Sequence, residues 1–185
     1  MKVFSLLFIS ILFITSCDDS DPNSDAYLPE ANGQHGEILI LMDDGLWDGL
    51  VGEAVVANLE RRAVGVYLRP ETMFSYYRMR PKELNHMNQF NRNILKFMVD
   101  SDSTYAETAV IKEYNYYAKG QLFIIIKDSD PNRLYDYAKN GMDEIVDEFN
   151  NFELDQLISM YKSSPNQRVN ELAEDKFGIS ISVPK

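Results

Sequence analysis

The strongest candidates for a chemical role are two adjacent carboxylates. Asp43 and Asp44 follow an apolar run at 38–42, typical of a buried central strand, and precede a segment of helical periodicity. Carboxylates at the end of such a strand are common Mg²⁺ ligands in α/β proteins. The same position suits a helix N-cap, and neither a third acid nor a glycine-rich phosphate loop accompanies the pair. We predict a capping role and keep metal ligation by Asp43 and Asp44 as the alternative.

Aromatic side chains are the second set of candidates. Trp47 is the only tryptophan and lies in the first turn of the predicted helix, whereas Tyr114, Tyr116 and Tyr117 lie in a tyrosine-rich middle region. Exposed aromatic rings could stack on sugars or peptides, but aromatic residues of helices and strands usually pack against the core. Packing is the prediction, and a ligand surface formed by these four residues is the alternative.

Cys17 is the only cysteine among 185 residues, and it follows a segment typical of a secretory leader. Lys2 supplies a positive charge, and residues 3–14 form an apolar stretch well short of the roughly 20 residues that cross a bilayer. The order of an aliphatic residue, two small hydroxyl residues and cysteine at 14–17 resembles the bacterial lipobox. We expect cleavage between Ser16 and Cys17 and attachment of lipid to the Cys17 thiol, which makes the bilayer a partner.

An acidic segment follows the cysteine. Residues 18–35 contain five acids, no base and two prolines, so they bury too little apolar surface to offset the entropy of ordering. We predict three parts: a lipoprotein signal peptide at 1–16, the lipidated cysteine with a flexible tether at 17–35, and a single α+β domain at 36–185. The acids directly after Cys17 also resemble the surface-export signal of some bacterial lipoproteins, so both faces of the outer membrane stay open.

Composition excludes several classes of protein. The hydrophobic share of 45% and the charged share of 25% are typical of a soluble globular body and exclude wholesale disorder. The net charge of -11 disfavours nucleic acid as a partner. His35 and His86 have no partner at metal-ligand spacing, and no nucleotide-binding or nucleophile motif is present. We expect no cofactor and no recognisable catalytic residue.

Hydrophobic periodicity predicts a mixed sheet with helices. Strands are expected at 38–42, 73–79, 94–99, 106–114, 122–126 and 179–183. Helices are expected from Leu46 to about Arg61, briefly after Pro81, along a stripe from Leu134 to Phe152, and over 154–161 and 169–177. Asp130 and Pro131 are typical of a helix N-cap and first helical position. Because only some strand pairs have a helix between them, we predict an α+β fold with a partly antiparallel sheet.

Several stretches resemble a family of bacterial envelope lipoproteins grouped as a domain of unknown function, DUF 4837. The resemblance lies at 36–44 with Leu46, Trp47 and Gly52, at 91–95, at 121–126 and from 161 to 185. It implies a lipid-anchored envelope protein of unknown activity and supplies no catalytic residues. It also implies that this chain is only the N-terminal part of such a protein, because members continue into a second, β-rich half.

The anchor, the tether and the absence of a catalytic motif favour a binding or scaffolding protein over an enzyme. We expect a membrane-anchored lipoprotein of the bacterial cell envelope, in the outer membrane, whose body binds another envelope protein or peptide. The alternative is a membrane-tethered hydrolase, assisted by a metal held at Asp43 and Asp44.

Overall fold

The computed structural model describes residues 28–62, 71–102, 104–179, 181 and 183. The expected signal peptide, the cleavage site at Ser16 and Cys17, and the tether up to residue 27 lie outside the described residues. The elements in chain order are β1 (Glu37–Leu41), α1 (Asp44–Trp47), α2 (Leu50–Leu59), β2 (Ser75–Met79), β3 (Asn93–Val99), β4 (Ala109–Tyr114), β5 (Leu122–Asp128), α3 (Pro131–Asn140), α4 (Met142–Ser163) and α5 (Gln167–Phe177). Two short 3₁₀ turns, Pro81–Glu83 and Asn88–Phe90, lie between β2 and β3.

The five strands form one mixed sheet in the order β2-β1-β3-β5-β4. β1 pairs in parallel with β2 and β3, β3 pairs in parallel with β5, and β4 runs antiparallel to β5 at one edge. The predicted α+β class with a partly antiparallel sheet is therefore confirmed. The two apolar runs that predicted central strands correspond to β1 and β5, and most of their residues are buried.

One face of the sheet is covered by three helices. Alternate residues of β1, β3 and β5, such as Ile40, Phe97 and Ile124, pack against α2, α3 and the first half of α4. Phe149 of α4 is fully buried there and meets Phe74 edge to face, with ring centroids 6.3 Å apart. This layer holds most of the apolar core, and hydrophobic burial of this kind is the main favourable contribution to folding.

The opposite face has a thinner cover. Leu39, Leu41, Ile94 and Phe123 are buried there beneath partly buried side chains that include Leu84 and Tyr117. These covering residues come from the 3₁₀ segment before β3 and from the loop between β4 and β5 rather than from an α-helix. β1 is thus buried on both faces, which is why its sequence is apolar without alternation from Ile38 onward. β3 is covered in the same way, apart from the half-buried Lys96 at its centre.

The helical region after Pro131 differs from its prediction in two places. Asp130 caps α3 as predicted, since its carboxylate accepts a hydrogen bond from the Asn132 N–H and Pro131 is the first helical residue. The single stripe expected from Leu134 to Phe152 is divided at Gly141, where a Cβ atom would lie 2.9 Å from the Tyr137 ring. The separate helix expected at 154–161 is instead the second half of the continuous helix α4. No helix among the described residues is long and apolar enough to span a membrane.

The last predicted strand, at 179–183, is wrong for the residues that are described. Gly178 adopts a left-handed conformation with φ 63° and ends α5, and the Ile179 N–H donates back to the Ala173 carbonyl. The Val183 carbonyl accepts from the Asn166 N–H, and the Val183 N–H donates to the Asn170 side chain. Where it is described, the segment therefore bonds to α5 rather than to a strand.

The structured body begins before the boundary predicted at residue 36. The Ala31 N–H donates to the Lys119 carbonyl and the Lys119 N–H to the Pro29 carbonyl, at 2.8 and 2.7 Å. Asn32 exchanges backbone hydrogen bonds with Phe90 and Arg92 in the same way. Polar composition concealed this pairing, because main-chain hydrogen bonds do not depend on apolar side chains.

Candidate functional site

The carboxyl edge of the parallel strands holds three of the residues that the sequence singles out. β2 pairs on one side of β1, and β3, the next strand in the chain, pairs on the other side. The direction in which strands are added to the sheet therefore reverses between β1 and β3. Ligands of open α/β sheets usually bind outside the carboxyl ends of the strands at such a point. Asp43, Asp44 and Trp47 all follow β1 at this edge.

Asp44 is neutralised by arginines of the neighbouring strand. The Arg78 guanidinium donates to the Asp44 carboxylate, and Nη1 of Arg80 lies 3.6 Å from its Oδ2. The hydrogen bond from Arg78 is the main reason why the pKa of Asp44 lies below its ordinary value, with the charges of Arg78 and Arg80 acting in the same direction. An arginine-paired carboxylate is a poor metal ligand because the cation would compete with a guanidinium already in place.

Asp43 occupies the N-cap position of α1, but its side chain makes no capping hydrogen bond. Its backbone carbonyl accepts instead from the Leu46 and Trp47 N–H groups at 3.1 and 3.0 Å. Asp43 therefore lies at the predicted N-cap position, but its side chain does not cap the helix. Within the described ranges, no three histidine, cysteine or acidic residues are grouped so that they could hold a metal ion.

Trp47 packs at the outer side of this edge. Its ring lies 6.3 Å from that of Tyr76, and the Arg78 guanidinium lies 5.9 Å from the ring centroid in a cation–π arrangement. The α1–α2 turn is fixed close to it, because a Cβ atom on Gly52 would lie 2.0 Å from the Trp47 carbonyl oxygen. Trp47 is therefore a partly buried packing residue that also orients Arg78 towards Asp44.

An apolar groove of about 200 Å³ lies beside this cluster. It is bounded by the segments that follow β1 and β5, and its lining residues are Gly45, Leu46, Gly49, Leu50, Val51, Pro131, Asn132 and Tyr135. Leu50 is 59% exposed at its rim. The lining supplies no carboxylate, imidazole, thiol or amine, so the groove suits an apolar group better than a metal ion, and the Tyr135 hydroxyl is its one ionisable group.

The three candidate tyrosines lie at the far edge of the sheet and do not form one surface with Trp47. Tyr114, at the end of β4, donates its hydroxyl to Glu148 of α4 at 2.5 Å, and this bond is the main reason that its pKa is raised. Tyr116 and Tyr117 lie on the other sheet face, 4.5 Å apart between centroids and packed against Phe123. Tyr114 and Tyr116 are nonetheless about half exposed.

Asp128, at the end of β5, is a fully buried carboxylate that the sequence analysis did not single out as a site. Arg133 donates to both of its oxygens, the Asp130 N–H and the Thr108 hydroxyl donate as well, and the Arg133 bonds contribute most to lowering its pKa to about 2. Arg133 also lines a more open depression of about 350 Å³. Because this guanidinium is engaged by Asp128, we assign the cluster to joining β4, β5 and α3.

A second buried carboxylate lies at the amino edge of the sheet. Glu153 of α4 is 6% exposed, and its two oxygens lie 2.5 Å from Nδ1 of His35 and Nδ2 of Asn93. Nε of Arg92 is 3.9 Å from the same carboxylate. This cluster fastens the N-terminal segment to α4 through His35, the residue directly before the Gly36–β1 junction.

Sequence reasoning missed Glu153 and assigned His35 to the tether. One feature of the sequence could have identified Glu153 as a buried residue. It lies four residues after the buried Phe149 and therefore on the buried stripe of α4. Around it, Nε of Arg92 and Oδ1 of Asn93 are buried without a hydrogen-bond partner among the described residues. The cluster is consequently sensitive to any loss of the Glu153 acceptor.

The fold and this geometry define an α+β domain with polar clusters at both strand edges and an apolar groove at the carboxyl edge. The chain matches the family described as Domain of unknown function (DUF8532) over residues 31–162, and it belongs to that family. The number expected from the resemblance, DUF 4837, is not confirmed. No curated protein matches the chain, and no solved structure does. The matched region begins at Ala31, consistent with a body that starts before residue 36, and ends before α5.

Replacing Asp128 with Asn should flatten the acid dependence of stability. The Asp128 carboxylate has a pKa of about 2 in the folded state against an ordinary value of 3.8, so its contribution is present above about pH 4 and is lost as the pH falls towards 2. Urea unfolding over this range should show a steeper loss in the wild type than in Asp128→Asn. The variant should be about 2 kcal/mol less stable at neutral pH. Asp136→Asn, exposed on α3, is the charge-matched control and should keep the wild-type slope.

Replacing Glu153 with Ala should lower the free energy of unfolding by about 2–3 kcal/mol, because it removes one of the two acceptors of the buried Asn93 amide and the carboxylate that faces His35 and Arg92. Asp155→Ala, exposed two residues further along α4, is the control and should change stability by less than about 0.5 kcal/mol. Denaturant unfolding at neutral pH measures both. Equal effects of the two substitutions would contradict a structural role for the buried carboxylate.

Proposed function

We propose that this protein is a lipid-anchored component of the bacterial cell envelope, attached to the outer membrane through Cys17, and that its body binds another envelope protein or peptide. The leader-like segment, the lipobox-like order at 14–17 and the single cysteine support the anchor. The resemblance to DUF 4837 envelope lipoproteins points the same way. The net charge of -11 opposes a nucleic-acid partner.

The apolar groove at the carboxyl edge is the observation that carries the binding role. Its volume of about 200 Å³ is below the roughly 300–1,000 Å³ of typical small-molecule sites. It suits one or two apolar side chains of a partner, inserted beside the exposed Leu50.

The alternative of a metal-assisted hydrolase receives less support. It requires a carboxylate pair free to bind a cation, whereas Asp44 is engaged by Arg78 and Arg80. Asp43 is exposed, and the groove beside it is lined by no carboxylate or imidazole that could join it in holding a cation. A divalent-metal titration of the wild type beside Asp43→Asn and Asp44→Asn measures this directly, and we expect no saturable binding that depends on either residue.

Lipid attachment predicts a change in mass and in membrane association that depends on one atom, the Cys17 sulfur. The wild-type chain, produced in a bacterial host, should lose residues 1–16, gain the mass of a diacylglyceryl group and an acyl chain, and partition into detergent. Cys17→Ser should show none of these changes, because the hydroxyl is a much weaker nucleophile than the thiolate. Ser20→Ala, three residues after the cysteine, is the control and should behave like the wild type. An intact leader or an unmodified thiol in the wild type would overturn the anchor.

If the groove binds a partner, a charged substitution of Leu50 should abolish that binding. The full chain should retain a specific protein from detergent-solubilised envelopes, and Leu50→Glu should abolish this retention by placing a charge at the apolar rim. Met87→Glu is the matched control, because Met87 is 78% exposed and lies outside the groove. Retention that survives Leu50→Glu, or is lost equally with Met87→Glu, would contradict the groove as the binding site.

A further inference from the structure

The apolar groove at the carboxyl edge is bordered by acidic residues. Its lining comes entirely from residues 43–53 and 130–139 and contains no charged side chain. These two segments carry six acids against two bases: Asp43, Asp44, Asp48, Glu53, Asp130 and Asp136 against Arg133 and Lys139. An apolar centre with polar groups around it is the usual composition of a protein–protein contact site.

Three of these charges already have a partner within the protein. Asp44 is held by Arg78, and Asp130 caps α3. Arg133 is engaged by the buried Asp128. Four exposed acids remain, none of which has a side-chain hydrogen bond or an ion pair with a described residue: Asp43, Asp48, Glu53 and Asp136.

Two of the remaining acids are placed at the groove by the spacing of its lining residues. Asp48 lies between the lining residues Leu46 and Gly49, in the turn that joins α1 to α2. Glu53 follows Leu50 by three residues on α2, so the two share one face of that helix. The α1–α2 side of the groove is therefore negatively charged.

The α3 side is close to neutral. Asp136 follows the lining residue Asn132 by four residues and lies on the same face of α3. The opposite charge is supplied by Lys139, whose Nζ lies 5.8 Å from the ring centroid of the lining residue Tyr135. The unbalanced negative charge is thus confined to the side formed by α1 and α2.

The positive charge of β2 does not cancel it. The segments that follow β1 and β5 bound the groove, so it lies over the end of β3, which is between these two strands. β2 is on the other side of β1, and its Arg78 meets Asp44 and Trp47 there. That guanidinium is therefore separated from the groove by the strand β1 and the helix that follows it.

We propose that the partner segment held in the groove carries a lysine or arginine beside the apolar side chain that enters it. This inference rests on the proposed function and names the chemistry of its partner. Neighbouring residues of a peptide are about 3.8 Å apart, and the long apolar stem of lysine or arginine lets its charge extend further. The basic group can therefore reach Asp48 or Glu53 while the apolar side chain stays beside Leu50.

The same charges act against other apolar occupants. A phospholipid acyl chain in the groove would bring its phosphate close to Asp48 and Glu53, and an acidic peptide would bring carboxylates there. Like charges placed together suppress the wrong partners of an interface. A second copy of this chain, with 29 acids against 18 bases, would also be repelled.

Selection from random heptapeptides displayed on phage tests the proposal. The target is the full chain in phosphatidylcholine nanodiscs, and the counter-target is Leu50→Ser, which removes the apolar rim without changing the charge. Peptides that bind the wild type and not Leu50→Ser should carry lysine or arginine next to a large apolar residue well above the frequency in the unselected library.

The most enriched peptide, synthesised and labelled, then measures the effect of the acids. Asp48→Asn combined with Glu53→Gln should weaken its binding by about threefold to tenfold and reduce the dependence of its association rate on salt, because two exposed charge pairs are lost. Glu171→Gln combined with Asp175→Asn, an equal change in charge at exposed positions of α5, is the matched control and should bind as the wild type does.

Failure of this inference is distinguishable from failure of the proposed function. Peptides that depend on Leu50 but show no excess of basic residues, or that bind equally well to the Asp48 and Glu53 variant, would overturn the inference and leave the groove as the binding site. Equal weakening by the α5 control would assign the effect to net charge and overturn it as well. If no peptide depends on Leu50, the groove fails as a binding site and the inference fails with it. A wild-type dimer in light scattering that Leu50→Ser separates would make a second copy the occupant.

Discussion

The central strands are buried on both faces of the sheet, and this burial determines their composition and the places where buried polar side chains lie. β1 and β3 have neighbours on both sides and cover above and below, so most of their residues are apolar, with the half-buried Lys96 of β3 as an exception. The fully buried polar side chains near them lie at strand ends. Asn93 opens β3, Gln121 directly precedes β5 and Asp128 ends it, and all three are fully buried. Each is held by hydrogen bonds, as burial in an apolar surrounding requires.

The two strand edges use their polar groups differently. At the amino edge, the Gln121 amide donates to the Gln89 and Asn91 carbonyls, and Glu153 joins Asn93 to His35, so side chains close this edge. At the carboxyl edge, charged pairs flank an open apolar groove. Strands of five to seven residues separate the edges by roughly 20 Å. The described residues before β1 bond at the amino edge, so the groove lies at the opposite end of the body from them.

Short stretches of sequence predicted correctly those elements whose formation depends on neighbouring residues alone. β1 and β5 follow from uninterrupted apolar runs, and the α3 N-terminus follows from Asp130 and Pro131, whose effects are confined to one turn. The contact of His35 with Glu153 joins residues 118 positions apart, and no local pattern reports it. The apolar residues at 179–183 predicted a strand that the described residues do not form, because a strand also needs a neighbour with free main-chain groups, and here α5 supplies the partners.

α4 is longer than the strands that it covers. Its 22 residues extend about 33 Å at 1.5 Å per residue, whereas the strands extend only about 17–24 Å. The buried residues of α4 all lie between Met142 and Glu153, whereas Leu154, Ile158 and Met160 in its second half are exposed. Starting a helix is costly and extending one is not, so the packed first half supplies the nucleus from which the less buried second half continues.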